Sequence, residues 1–196
     1  MFAQGFFLVT GLLAVGYVGC IYAARFLHQA YQDRNFERAL AHAPELAPPS
    51  VMVLSKTEPA IKPPIGSLIG KILIPRLGIT AIVDEGVDSK TLALSVGHIP
   101  STALPGEPGN VGLAAHRDTL FRNLKDVRRD DEITLMTLAG SYFYRVVWFK
   151  VVNPTEVSVL KPSLGEETLT LVTCYPFYFV GHAPKRFIVR AQRRQG

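Results

Sequence analysis

The first 24 residues of this 196-residue chain carry no charged side chain, and the stretch from Phe6 to Ala24 is almost entirely apolar or small. About 20 apolar residues are the length that an α-helix needs to cross the hydrocarbon core of a bilayer. A helix of a water-soluble domain normally keeps one polar face, which this stretch lacks. The sequence therefore predicts a transmembrane helix over residues 1–24, followed by a separate folded domain.

A cleaved signal peptide is the alternative interpretation of this stretch. Signal peptides have a basic start, a shorter apolar segment and a small-residue cleavage site. No Lys or Arg precedes Phe6, and the tyrosine in Tyr17-Val18-Gly19-Cys20 fits a lipoprotein cleavage site poorly. We favour an uncleaved, single-pass anchor. Its orientation stays open, because Arg25, Arg34 and Arg38 follow the helix and the positive-inside rule would keep that side in the cytoplasm.

The rest of the chain divides into two parts. Residues 25–65 begin at helical spacing and then become rich in proline, which predicts a helical and semi-extended tether. Residues 66–196 are dominated by short strand patterns with brief helices, which favours a small closed or sandwiched β-fold. The predicted strands are Leu68–Ile74, Thr80–Val83, Val111–Ala115, Glu132–Leu138, Tyr142–Val152, Thr168–Cys174 and Arg186–Ala191. The predicted helices are Asp88–Val96, with Asp88 as N-cap, and Asp118–Leu124.

Charge and composition exclude some classes of protein. A hydrophobic content of 48% with 19% charged residues is typical of a globular fold and not of a disordered chain. The net charge of +5 is scattered, with no basic stripe of the kind that binds nucleic acid. We therefore expect no nucleic-acid partner and interpret the charge as a solvated basic surface near an anionic membrane.

Three residues at predicted strand ends could form a catalytic site. Cys174 ends an alternating strand and is the only cysteine outside the predicted anchor. A nucleophilic cysteine needs a group that manages its proton and a donor that stabilises the oxyanion. His116 ends another strand, and Arg186 begins the strand after the Cys174 loop. In isolation, a buried cysteine, a surface histidine and a surface arginine would explain these residues as well.

Three segments resemble sortases. Thr170–Cys174, with the sequence TLVTC, resembles the TLxTC signature of that family. The segment from Gly97 to Asp118 is similar to the one leading to the sortase histidine, and Ala183–Val189 is similar to the sortase arginine strand. The likeness runs over roughly residues 66–193 and is greatest to class D sortases.

The resemblance implies an eight-stranded β-barrel with short helices, preceded by a transmembrane helix. It also implies a cysteine transpeptidase that cleaves an LPxT-type sorting signal and transfers the acyl group from Cys174 to an amine, such as a cell-wall precursor or a pilin lysine. His116 would carry protons, and Arg186 would stabilise the oxyanion. Thr173 would line the pocket beside the nucleophile. Tyr175 would either contact substrate at the rim or pack its loop against the barrel. We expect no cofactor or metal. The catalytic domain would lie on the extracytoplasmic side of the cell membrane.

Several alternatives stay open at this point. The same fold could serve as a catalytically silent envelope scaffold, or as a hydrolase that releases the substrate to water. The Cys–His pair could be neutral or a thiolate–imidazolium pair. We interpret His98 as structural or peripheral. An acidic group at Asp126 and 130–132 is interpreted as a solvated turn and not as a calcium loop, because its spacing matches no such loop.

Overall fold

The computed structural model describes residues 2–42, 62–162, 165–179 and 181–194. The helices are α1 (Phe2–His42) and α2 (Ser89–Leu94), and short 3-10 helices cover Pro75–Leu77, Arg122–Asp126 and Val157–Leu160. The strands are β1 (Leu68–Ile74), β2 (Ile79–Glu85), β3 (Val96–His98), β4 (Asn110–Ala114), β5 (Glu132–Thr137), β6 (Gly140–Val152), β7 (Thr168–Tyr175) and β8 (Lys185–Arg193).

The apolar start of the chain lies in α1, a continuous helix of 41 residues. Its large side chains between Phe6 and Tyr22 are exposed. By length and composition this helix could cross a membrane, a test that a signal sequence near the N-terminus also passes. The part of the predicted tether that is described is helical as far as His42, and residues 43–61 lie outside the described residues.

The eight strands close into a barrel in the order β1-β2-β3-β4-β7-β8-β6-β5. This confirms the predicted barrel and decides between the closed and the sandwiched fold. Neighbours are antiparallel except for the pairs β2–β3 and β4–β7, which are parallel. Inward-facing side chains form one core that includes Ile72, Leu113, Leu135, Leu171 and Val189, all fully buried. Closure leaves no free sheet edge.

Strand β3 is the element that sequence patterns missed. The predicted helix Asp88–Val96 ends at Leu94 in the structure, and β3 begins at Val96. Three residues are too few to show an alternating pattern, and β3 is stabilised by pairing with β2 and β4, which the local sequence does not reveal. The predicted N-cap is confirmed, because the Asp88 carboxylate accepts hydrogen bonds from the backbone N–H groups of Lys90 and Thr91.

The segment predicted as a helix over Asp118–Leu124 forms turns and then the 3-10 helix Arg122–Asp126. Phe121, Leu124 and Val127 are buried at a spacing of three residues. A 3-10 helix has three residues per turn, so this spacing places all three side chains on the core side. Burial of these side chains therefore overrides the α-helical pattern.

The interpretation of the acidic group as a solvated turn is wrong for Asp131. Its side chain is buried, and its carboxylate accepts hydrogen bonds from the Arg76 guanidinium and from the Arg128 backbone N–H. These contacts hold the pKa of Asp131 below its usual range, chiefly through the hydrogen bonds from Arg76. Asp130 and Glu132 remain exposed.

Stability should depend on pH through Asp131. Because its pKa is lowered on folding, its contribution is fully present above the ordinary carboxyl pKa of about 4 and is lost as the pH falls through the lower folded value. We expect Asp131→Asn to be less stable than wild type at pH 7, with the difference shrinking toward pH 3. Thermal unfolding of the full chain in detergent, followed by the fluorescence of the single tryptophan Trp148, measures this.

The matched control is Asp130→Asn, because Asp130 is exposed and lies 3.8 Å from its nearest cation, Arg145. This variant should follow the wild-type curve at both pH values. A stability difference between wild type and Asp131→Asn that stays constant from pH 7 to pH 3 would contradict the assignment.

Candidate active site

Cys174 and Arg186 lie directly opposite each other on neighbouring strands. Cys174 is near the end of β7, Arg186 is near the start of β8, and the two are partners in the antiparallel register. Side chains of such partners leave the sheet on the same face, with Cβ atoms about 4.5–5.5 Å apart. Both side chains are partly exposed. The thiol and the guanidinium can therefore reach one substrate group from these adjacent strand ends, which we call the rim.

The chain leaving β4 brings His116 to the same rim. Strands β4 and β7 are parallel, and the Ala115 backbone N–H extends their pairing by donating to the Val172 carbonyl at 3.2 Å. Ala115 is buried in the core, and His116 after it is exposed. The alternation of strand side chains therefore places His116 and Cys174 on the outer face of adjacent strand ends.

Thr173 holds these two strand ends together. It is buried, and its hydroxyl donates a hydrogen bond of 2.7 Å to the carbonyl of Ala115. The side chain thus connects the residue before Cys174 to the residue before His116. Its hydroxyl hydrogen is used within the protein, and the expected contact of Thr173 with substrate stays a prediction.

Tyr175 belongs to an aromatic cluster. Its ring stacks on Phe187 with centroids 6.3 Å apart and meets the edge of Phe177 at 6.1 Å. Tyr175 and Phe177 are partly buried against the barrel core. By contrast, Tyr178 and Phe179 in the loop that follows are exposed, at 76% and 45% of their surface. Of the aromatic residues that follow Cys174, the first two therefore pack against the barrel and the last two are exposed to solvent.

Arg186 has donors left for a ligand. Its Nη1 donates to the carbonyls of Ala183 and Lys185 at 3.2 and 3.0 Å. Within the part of the chain that the structure describes, no hydrogen bond uses its Nε or Nη2. These two groups form one edge of the planar guanidinium, which suits recognition of a carbonyl or oxyanion oxygen.

Two cationic residues attach the β7–β8 loop to the segment that bears His116. Arg117 donates through Nη2 to the carbonyls of Phe179 and Gly181 at 2.6 and 3.1 Å. Lys125 donates to the Tyr178 hydroxyl at 2.6 Å, which raises the pKa of Lys125. The loop between Cys174 and Arg186 is thereby positioned by the residue next to His116.

A second apolar cluster lies on the outer face below Cys174 and Arg186. Val172 is two residues before Cys174 and Ile188 two after Arg186, so both share the outer face. They pack with Val159 and Leu160 of the β6–β7 connection. The connection therefore covers this part of the outer face, next to Cys174.

Buried polar residues hold the β6–β7 connection against the barrel. Asn110 donates to the Leu160 carbonyl at 2.9 Å and accepts from the hydroxyls of Thr168 and Thr170. Arg190 donates to the same two hydroxyls and to the Lys161 carbonyl, and burial lowers its pKa. No local sequence pattern indicates this network, although the alternation in β8 places Arg190 on the same face as Arg186.

His98 lies apart from the strand ends just described. It is buried at 1% exposure, with Nδ1 2.6 Å from a carboxylate oxygen of Glu85 and Nε2 2.9 Å from the Ala103 carbonyl. Both ring nitrogens are thus engaged within the protein. The geometry agrees with the structural interpretation of His98, whereas His116 is exposed at the strand end next to that of Cys174.

Comparison with known proteins identifies the family. The sortase domain matches residues 72–194, which is more than half of the chain. The chain belongs to the sortase family. Sortase D of Bacillus subtilis (strain 168) is 34% identical to this sortase over 139 residues, which cover 71% of this chain and 70% of that relative. Sortases are cysteine transpeptidases, so the predicted enzyme class is confirmed.

Solved sortase structures share this fold. A sortase D5 transpeptidase from Clostridium perfringens superimposes with a TM-score of 0.62 at 32% identity, over 67% of this chain and 82% of that one. Sortase C-1 from Actinomyces oris gives a TM-score of 0.62 at 30% identity, over 66% of this chain and 75% of that one. The predicted likeness to class D sortases is thus confirmed, alongside similarity to class C structures.

Removing the Thr173 hydroxyl should loosen both strand ends of this sortase. Thr173→Val keeps the shape but leaves the buried Ala115 carbonyl without this donor, which should lower the free energy of unfolding by about 1–3 kcal/mol. We also expect slower turnover, because this bond connects the residues that precede His116 and Cys174. Urea unfolding and steady-state kinetics measure the two effects. Thr173→Ser keeps the donor and is the control; equal behaviour of the two variants would contradict this role.

Proposed function

We propose that this sortase cleaves an LPxT-type sorting signal after its threonine and transfers the acyl group to an amine. The Cys174 sulfur attacks the threonine carbonyl carbon, a C–S bond forms, and the C–N bond breaks as the amine leaves. An incoming amine then attacks the thioester, forming a new C–N bond and releasing the thiol. The observation that carries this proposal is the pairing of Cys174 with Arg186 beside the strand end that leads to His116.

We assign the proton transfers to His116. It would pass the proton given up by the Cys174 thiol to the leaving amine. It would later take a proton from the incoming amine and return it to the sulfur. Exposure of its ring supports this role, because both amines approach from solvent. Thr173 acts by holding the two strand ends, and the ring of Tyr175 supports the rim on which the substrate lies.

We assign oxyanion stabilisation to Arg186. Attack by sulfur moves negative charge onto the substrate carbonyl oxygen, and a preorganised cationic donor lowers the energy of that state. The register opposite Cys174 supports this role, as does the edge of the guanidinium that no described residue uses.

The proposed substrates are surface proteins that carry the sorting signal, and the acceptor is an amine of a cell-wall precursor or a pilin lysine. We expect the β6–β7 connection, which packs on the outer face next to Cys174, to contact the residues of the signal. The proposed organisation is an anchor over residues 1–24, a connecting segment over 25–65 and a catalytic domain over 66–196. That domain lies on the extracytoplasmic side of the membrane, and protection of it from protease in intact cells would contradict this.

A peptide assay separates the proposed transpeptidase from the two alternatives. The full chain in detergent is incubated with LPxTG- and LPxTA-type peptides, with and without an amine acceptor, and the products are identified by mass spectrometry. A transpeptidase yields the amine-linked product when acceptor is present. A hydrolase yields the free threonine carboxylate whether or not acceptor is present.

A silent scaffold would yield no product with any of these peptides, and that outcome would contradict the proposal. A peptide with the same residues in scrambled order is the matched control, since it has the same composition but no signal. Equal turnover of the ordered and scrambled peptides would contradict recognition of the signal.

A further inference from the structure

The half of α1 beyond the apolar run contacts the barrel along one face. Side chains on this face recur at spacings of three and four residues, as on one side of a helix. They are partly or fully buried, and they are Arg25, His28, Gln29, Asp33 and Phe36. Phe36 is completely buried, whereas Phe26, Leu27 and Tyr31 on other faces are exposed. We call these five positions the docking face of α1.

Two side chains of the docking face cap α2. Arg25 donates through Nε to the Ala93 carbonyl, and Gln29 donates through Nε2 to the Leu94 carbonyl, both at 2.8 Å. The last carbonyls of a helix have no partner within the helix and need donors from elsewhere. These bonds are therefore specific to the end of α2 and differ from general apolar contact.

Gln29 also completes the pairing of β2. Its Oε1 accepts the Ile82 backbone N–H at 2.8 Å. The β2–β3 pairing begins at Val83, one residue farther along, so β3 does not reach this N–H group. One glutamine of α1 thus satisfies a carbonyl of α2 and an N–H of β2.

Two further side-chain pairs continue the contact along the helix. His28 Nε2 lies 3.0 Å from a carboxylate oxygen of Asp84, which is buried on β2. Farther along, Asp33 lies 2.6 Å from Lys71 on β1. The docking face therefore contacts α2, β2 and β1. These contacts fix the rotation of α1 about its own axis and the position of the barrel along that axis.

The positions of these contacts along α1 define a distance from the bilayer. Arg25 follows the apolar run directly, and at 1.5 Å per residue Gln29 lies about 7.5 Å beyond Ala24. The headgroup layer on one side of a bilayer is about 5–7.5 Å thick. The exposed aromatic side chains of Tyr22 and Phe26 lie on either side of Ala24, as in the aromatic belts of membrane proteins. The end of α2 therefore lies at the level of the headgroups.

We propose that α1 mounts the barrel directly on the membrane, with α2 and the turn before it lying in the lipid headgroup layer. The exposed side chains there suit that position, because Val87 is apolar and Lys90 is cationic. The nearby Asp88 carboxylate is used in capping α2. The inference rests on retention of α1 as an anchor, and it makes residues 25–42 a rigid mount for the catalytic domain.

The test compares two positions in the full chain, reconstituted in nanodiscs that contain lipids spin-labelled at the headgroup. In a Cys20→Ala, Cys174→Ala background, a fluorophore is attached at Ser89→Cys on α2 or at Gln192→Cys on β8. Both residues are exposed, and β8 lies across the barrel from β2 in the strand order. We expect the Ser89 label to be quenched at least about twofold more strongly, since it lies in the headgroup layer.

The double substitution Arg25→Ala, Gln29→Ala should abolish this difference, and Arg34→Ala, on an exposed part of α1, should preserve it. Amide hydrogen exchange at Ile82 gives an independent readout, because loss of Gln29 alone should accelerate it. Equal quenching of the two labels in the otherwise native chain would overturn the proposal. Intact mass and nanodisc incorporation show separately whether the anchor is retained, and the peptide assay on the wild-type chain shows separately whether the enzyme is active.

Discussion

Replacing Cys174 by alanine should abolish both cleavage and transfer of LPxT-type peptides. The thiol supplies the only proposed nucleophile, and without it neither the thioester nor the transfer product can form. Removal of a catalytic nucleophile lowers turnover by about 10⁴-fold or more. The measurement is product formation over hours with the full chain in detergent, quantified by mass spectrometry with and without the amine acceptor.

The chain supplies a matched control for this substitution. Cys20 is the other cysteine and lies in the exposed apolar part of α1. Cys20→Ala should turn over peptide at the wild-type rate, and the two variants together assign the activity to one thiol. Product from Cys174→Ala at more than about one hundredth of the wild-type rate would contradict the proposed nucleophile. A variant without its nucleophile should retain far less activity than this.

Replacing Arg186 by lysine should lower kcat by about 10²–10³-fold, as loss of an oxyanion donor does. Lysine keeps the positive charge but lacks the planar edge of two N–H groups that guanidinium presents to one oxygen. Because the oxyanion exists only after attack, the effect should fall mainly on kcat, with a smaller change in KM. Steady-state kinetics over a range of peptide concentrations separate the two parameters.

Arg194→Lys is the control for an arginine-to-lysine change in the same part of the chain. Arg194 is exposed, directly follows β8, and lies 2.9 Å from Glu132 at the far end of the strand from Arg186. This variant should keep both kinetic parameters. A kcat for Arg186→Lys within about threefold of wild type would remove the oxyanion role, because even one lost donor has a larger effect.

The barrel was predictable from the sequence to the extent that its strands alternate or end at turns. Strands such as Thr168–Tyr175 contain enough residues to show which side chains face the core. The three residues of β3 do not, and their conformation depends on partners distant in the sequence. The chain near Arg122 forms a 3-10 helix and not an α-helix, because Phe121 and Leu124, three residues apart, are both buried in the core.

The candidate site was predictable in its residues but not in its supports. Cys174, His116 and Arg186 were found from strand ends and family resemblance, and the register brings their strand ends together. The hydrogen bond from Thr173 to Ala115 joins residues 58 positions apart, so no local pattern indicates it. The capping of α2 by Arg25 was hidden for the same reason, and it gives this arginine a role besides its charge at the membrane.

The most direct test of the account is capture of the acyl-enzyme. The full chain in detergent is mixed with an LPxT-type peptide and quenched in acid within seconds, and its intact mass is measured before proteolytic mapping. The account predicts a mass increase equal to the peptide acyl group, located on Cys174, that disappears when an amine acceptor is added before quenching. An adduct on any other residue, or no adduct with any LPxT-type peptide, would contradict it.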